Sequence, residues 1–179
     1  NSNLRSDFMD IYLGAKCSFC ISSGSGFHDL PRLFRKPIAL VEVPLGNLYM
    51  HHEKFLVMTK HHILKKEKRK LSLSEIFSHG VAYAFKTEIF EQKGVELVEN
   101  TPEEIREVVI EMAENLESNR KFNPEDEKLQ ETFKSLFASN IEHVDLPWRD
   151  LQKTYSKIQR QIKIRFSTEF LRKNKNWLR

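Results

Sequence analysis

The sequence predicts an α/β fold, a parallel sheet followed by a helical carboxy-terminal extension. Three observations predict it. The first 44 residues read helix, strand, Gly/Ser loop, helix, strand, the order of a βαβ unit, which implies a parallel sheet with a right-handed crossover. Residues 38–43 (Ile-Ala-Leu-Val-Glu-Val) form an apolar run between Pro37 and Pro44, a strand bounded by breakers. Beyond about residue 100 strand-like runs give way to capped amphipathic helices.

Leu4, Phe8, Ile11 and Tyr12 recur at helical spacing, with Ser6 or Asp7 near the start and Gly14 as the expected end. Residues 17–22 read as a short buried strand and Ser22–Gly26 as a small flexible loop. A helix follows over 27–35, with Pro31 in its first turn, where a missing N–H costs nothing. Residues 45–54 read as loop, 55–58 as a strand and 60–70 as a basic loop. Ser72-x-x-Glu75 is a capping box that opens a helix ending near Gly80. A helix over 86–93 ends at Gly94, and 95–98 reads as an edge strand. Thr101-Pro102-Glu103-Glu104 combines a capping Thr, a proline in the first turn and acidic charge on the positive end of the helix dipole. Ile105, Val108, Val109, Met112 and Leu116 form its buried stripe. Asn123-Pro124 opens another helix, and a basic amphipathic segment runs from Pro147 to about Asn174.

The chain has 179 residues, 40% hydrophobic and 30% charged, enough for one sizeable core. No window approaches the roughly 18 uninterrupted apolar residues of a membrane span. The start is polar and lacks a Met, so a fragment that begins upstream is expected. Cys17 and Cys20 form a C-x-x-C, but no second pair completes a zinc site, and on a strand they face opposite sides. They read as small hydrophobes. Neighbouring His51–His52 and His61–His62 also point apart, with no carboxylate cluster beside them, so no metal is expected.

The net charge of +4 hides three zones. Residues 1–86 hold 13 basic and 7 acidic side chains, residues 87–146 hold 6 and 16, and residues 147–179 hold 10 and 2. Either the acidic and basic helical zones face each other or solvate, or the basic tail seeks an anionic surface. The Lys60–Lys70 run has no aromatic platform beside it, and no nucleic-acid partner is expected.

The loop Ser22–Gly26 is where chemistry is expected. It follows a strand and opens a helix, the position at which open α/β sheets bind ligands and helix starts favour phosphate. Diphosphate contact is expected at Ser23, Gly24, Ser25 and Gly26, against the alternative of a tight turn without a ligand. His28 would face a diphosphate from the first helical turn, or serve as a cap or lie exposed on the surface. Arg5 and Asp10, on the preceding helix, would meet a phosphate or a sugar hydroxyl, or simply solvate. No Gly-Lys-Ser/Thr or Gly-x-Ser-x-Gly is present, which excludes a Walker loop and a nucleophile elbow.

The runs Ser2–Leu13, Ser22–Gly26, Leu33–Pro37, Leu73–Phe77, Gly94–Ile105 and Phe170–Asn174 resemble a family of bacterial glycosyltransferases associated with surface-polysaccharide genes. The likeness covers most of the chain, and the Glu-Asn-Thr-Pro-Glu-Glu and Ser-Gly-Ser-Gly blocks are its most specific parts. More distantly, the element order is similar to the donor-binding domain of GT-B enzymes. The resemblance implies a partial Rossmann-like, GT-B carboxy-terminal domain over 1–117, shortened at its start, with a helical extension over 118–179 packing on it. It implies a metal-independent glycosyltransferase whose substrate is a nucleotide-diphosphate sugar, with no further cofactor. Its diphosphate would lie on Ser23, Gly24, Ser25 and Gly26, with Arg5, Asp10 and His28 nearby. The implied partners are a glycan or glycolipid acceptor and an amino-terminal domain of the same protein, in a cytoplasmic enzyme peripheral at the inner membrane. The implied catalytic base lies outside this chain. The alternative is a non-catalytic module that docks through its basic tail on a membrane surface or an acidic partner.

Overall fold

The computed structural model describes residues 6–43, 45, 54–84, 86–117, 122–141 and 163–179. Four strands form a parallel sheet in the order β1 (Cys20–Ser22), β2 (Ile38–Val43), β3 (Phe55–Thr59) and, from the far end of the chain, β7 (Arg165–Phe166). The central strands β2 and β3 are buried along nearly their whole length, which is why they read as apolar runs, with Glu42 the one charged residue in the two. The α/β fold expected from the sequence is thus present, a four-stranded parallel sheet consistent with part of a Rossmann-like domain.

A second sheet is antiparallel, in the order β5 (Arg69–Lys70), β4 (His61–Leu64), β6 (Val95–Val98). Here the expected basic loop at 60–70 is corrected. Its charges mark a hairpin whose turn is basic, while His61 and His62 enter the protein at 8% and 5% exposure. Only Lys60 separates β3 from β4, so one continuous run of chain passes from the first sheet into the second.

The helices are α1 (Asp7–Lys16), α2 (Asp29–Leu33), α3 (Leu73–Ser78), α4 (Thr87–Gln92), α5 (Pro102–Asn115), α6 (Pro124–Ile141) and α7 (Thr168–Lys173). Both expected capping boxes form. Ser72 and Glu75 exchange bonds across the start of α3, as Thr101 and Glu104 do across α5. The expected helix end at Gly14 is corrected, because α1 runs on to Lys16 and Gly14 is buried inside it. An added Cβ there would lie 3.2 Å from Leu30 Cβ and 3.4 Å from the Pro31 nitrogen. The missing side chain lets α1 and α2 touch. Gly14→Leu is therefore expected to lower unfolding stability by about 1–3 kcal/mol through overpacking, read in a urea titration. An unchanged midpoint would show that this contact gives freely.

The stretch after residue 118 does more than cover the sheet. It supplies β7, which the sequence reading did not place, and an aromatic cluster at the centre of the core. Phe133, Phe166, Phe170 and Trp177 meet with ring centroids 4.8–6.0 Å apart. The outer edge of β7 is closed by one side chain. The Gln130 amide donates to Phe166 O (2.7 Å) and accepts from Phe166 N–H (3.0 Å), standing in for a neighbouring strand.

The opposite edge, β1, has no strand beside it among the described residues. The elements around it carry large exposed apolar side chains, Phe8 (72%), Leu13 and Tyr12 on α1, Ile21 on β1, and Leu33 (74%) on α2. Contiguous apolar exposure of this kind is uncommon on a protein surface and makes this face a candidate contact surface.

The charge zones also resolve within the described residues. Arg165 pairs with Glu127, Arg172 with Asp126 and Lys173 with Glu107, so part of the basic tail lies on the acidic helices α5 and α6. No helix among the described residues is long and apolar enough to cross a membrane.

Candidate functional site

β1 ends at Ser22, and the loop that follows stands at the carboxyl end of the parallel sheet. Its turn needs a left-handed residue, which Gly24 supplies at φ 86°. A Cβ on Gly24 would point at Val43 Cγ1, 3.5 Å away, which sets the loop beside the carboxyl end of β2. Beyond the loop the chain forms a short 3-10 turn, Gly26–His28, and then α2.

The turn is braced from beneath. Gly24 N–H donates to Ser22 Oγ (3.2 Å), and Ser22 Oγ lies 3.3 Å from His28 Nδ1. Ser22 and His28 are both buried. With Nδ1 as the acceptor, the three groups form one chain of bonds, and the ring proton sits on Nε2. His28 is therefore an internal brace of the loop, in contact with Ser22 below and with Asp29 at 3.9 Å.

Above the brace, Ser23, Gly24, Ser25 and Gly26 are all exposed. The main-chain N–H groups of Ser23, Ser25 and Gly26 and the hydroxyls of both serines have no hydrogen-bond partner among the described residues. Five donors on the exposed residues around one left-handed glycine are thus without a partner among the described residues. Asp10 lies half-buried on α1, one turn before the Gly14 contact. Arg5, His51 and His52 lie outside the described residues.

The carboxyl edge holds further groups that sequence reading did not single out. β2 is irregular between Leu40 and Val43, and Glu42 there takes φ 60°, a left-handed conformation that costs a side-chain-bearing residue about 1–3 kcal/mol. Its carboxylate accepts from Asn100 N–H (3.2 Å), while Asn100 Nδ2 donates to Thr59 O (3.1 Å) and Thr59 Oγ1 to Val43 O (2.8 Å). Asn100 Oδ1 is buried and has no donor among the described residues. Beside this knot is a small cavity of about 120 Å³, lined by Glu42, Lys60, His62, Phe90 and others. The signals for it were present as the lone charged residue inside the apolar run 38–43 and the Asn of the Glu-Asn-Thr-Pro block.

His62 Nδ1 donates to Lys60 O (3.1 Å), and burial first, with the neighbouring His61 adding to it, holds its pKa down at about 4. The ring is neutral at pH 7. His61 Nε2 lies 2.9 Å from Glu104 Oε1. Burial pushes the Glu104 carboxyl up, but the Thr101 N–H and His61 together outweigh it and hold the group below its ordinary value. Cys17 and Cys20 are free and half-buried, and burial raises the Cys20 thiol, with Cys17 adding to it, which leaves it a poor nucleophile at neutral pH. No group of three or more His, Cys, Asp or Glu side chains among the described residues is placed to hold a metal ion.

No family model, no curated protein and no solved structure matches the chain.

Proposed function

We propose that the chain is the donor-binding part of a glycosyltransferase, in which Ser23, Gly24, Ser25 and Gly26 hold the diphosphate of a nucleotide sugar. The observation that carries this is the set of five donors without a partner among the described residues, on the exposed loop around Gly24 at the carboxyl edge of a parallel sheet. Ligands of open α/β sheets bind at that edge. Donors fixed before the ligand arrives would stabilise the charge that grows on a departing nucleoside diphosphate, without a metal. The Ser22–His28 brace fits the same role, because it fixes the loop at its base. The acceptor and the base that activates it belong to another part of the protein, and the exposed apolar face along α1, β1 and α2 offers a surface for that part. A cytoplasmic enzyme acting on surface glycans at the inner membrane is consistent with these features. Docking through the basic tail has less support, because Arg165, Arg172 and Lys173 are occupied by Glu127, Asp126 and Glu107.

Calorimetric titration of the full chain with UDP, GDP and ADP, with CMP as control, tests this. One diphosphate is expected to bind saturably. Gly24→Val forces a β-branched residue into a left-handed turn and is expected to abolish that binding while cooperative unfolding remains. Ser25→Ala, which leaves the backbone alone, is expected to weaken it about two- to tenfold by removing one hydroxyl donor. No binding of any diphosphate to the folded protein overturns the proposal.

A further inference from the structure

A cleft of about 870 Å³ is lined by none of the loop residues. It opens between the end of the β4–β5 hairpin, the start of α3 and the segment from Arg172 to Arg179. Two basic stretches a hundred residues apart in sequence meet here, joined by Lys70 Nζ donating to Asn174 Oδ1 (3.0 Å). Six cationic side chains line the cleft, Arg69, Lys70, Arg172, Lys173, Lys175 and Arg179, against one carboxylate, Glu75.

Half of those cations are already committed. Arg69 grips both oxygens of Glu75 (2.7 and 2.8 Å), Arg172 is paired with Asp126 and Glu169, and Lys173 with Glu107. Glu75 itself is held at about 2, by Arg69 first and then by the Ser72 N–H, so it stays ionised and occupied. Lys70, Lys175 and Arg179 form no ion pair among the described residues, although Lys70 lies close enough to Glu104 to help hold that carboxyl below its ordinary value. The three are exposed side chains on the wall of one cleft, a local excess of positive charge. A bound anion would find complementary charge there.

We propose that this cleft binds the phosphate group of an organic phosphate, with Lys70 and Lys175 as its principal contacts and Arg179 beside them. A phosphate supplies up to two negative charges and several acceptor oxygens in a compact group, matching three donors that are point charges or forks. The cleft is of the size that takes a whole small molecule, so the phosphate is carried on a larger body, either a soluble metabolite or a lipid headgroup. The site shares no residue with the Ser23–Gly26 loop and stands whether or not that loop binds a nucleotide.

The test uses the full chain carrying Gly24→Val, which removes the loop as a competing anion site. Inorganic pyrophosphate is titrated by calorimetry, and co-sedimentation is measured with phosphatidylglycerol vesicles and with phosphatidylcholine vesicles as control. Lys70→Gln/Lys175→Gln is compared with Lys128→Gln/Lys134→Gln, which removes the same charge from α6. Pyrophosphate affinity is expected to fall at least about tenfold in the cleft variant, and by less than about twofold in the α6 variant. If pyrophosphate does not bind but phosphatidylglycerol binding is lost in the cleft variant alone, the cleft takes a lipid phosphate. Equal losses in both variants would show that net charge alone is at work, and no binding of either probe would show that the cleft takes no phosphate. Either of these two results overturns the proposal.

Discussion

Glu111→Ala is expected to lower the unfolding free energy by about 3–4 kcal/mol, the loss of two or three hydrogen bonds to one buried carboxyl group. Glu111 is 5% exposed on α5 and reaches across to the start of α7. It accepts from Thr168 N–H (2.9 Å) and Thr168 Oγ1 (2.5 Å), with Ser167 Oγ at 3.5 Å. Those donors belong to the junction between β7 and α7, the point at which the chain leaves the sheet and turns into its last helix. Alanine leaves them buried and unsatisfied, and loosens the carboxy-terminal segment from α5. Glu111→Gln keeps one acceptor oxygen and is expected to cost less than half as much. Urea titrations of both variants check this. A loss below about 1 kcal/mol for Glu111→Ala would mean that water replaces the carboxyl group freely at the junction.

Acid is expected to destabilise the protein through His62. In the unfolded chain this ring takes up its proton near its ordinary value of 6.5, but in the folded protein only near pH 4. Between those values the unfolded chain binds more protons, so stability falls as pH falls. The contribution is fully present above pH 6.5 and is lost on the way down to pH 4, for a total of about 3 kcal/mol. His62→Gln keeps a donor for Lys60 O and removes the titration. Urea midpoints measured from pH 7.5 to 4 should diverge, with the wild type dropping more steeply than the variant. Parallel curves would show that the ring is not held neutral by burial.

Much of the candidate site was legible in the residues themselves. A strand ending at Ser22, followed by Ser-Gly-Ser-Gly, states a left-handed turn at a strand end, because only glycine enters that region without strain. The run 38–43 states a buried strand, because no half-exposed strand can be that apolar. Ser72–Glu75 and Thr101–Glu104 state helix starts, because a capping box satisfies its own donors within four residues. In each case the cause is local: a backbone conformation, a breaker or a bond across one turn.

Where the cause is distant, the residues did not announce their place. His28 could be read as a ligand contact or a cap; its burial against Ser22 makes it the brace of the loop. Glu42, Thr59 and Asn100 come from three separate elements and meet only because β2 and β3 lie side by side, with the start of α5 above their ends. Gly14 looked like a helix end and is instead the contact between α1 and α2. The basic run at 60–70 looked like a loop, because its charges describe the hairpin turn while the pairing of β4 with β6, some thirty residues on, makes it a sheet. β7 is two residues long, with no pattern to detect, and is a strand only because β3 and Gln130 satisfy its backbone. The sequence by itself determined the local conformations, whose energies are settled within a turn or a strand. The tertiary structure alone decided which side chains share a site, because that depends on hydrogen bonds and burial between segments far apart in the chain.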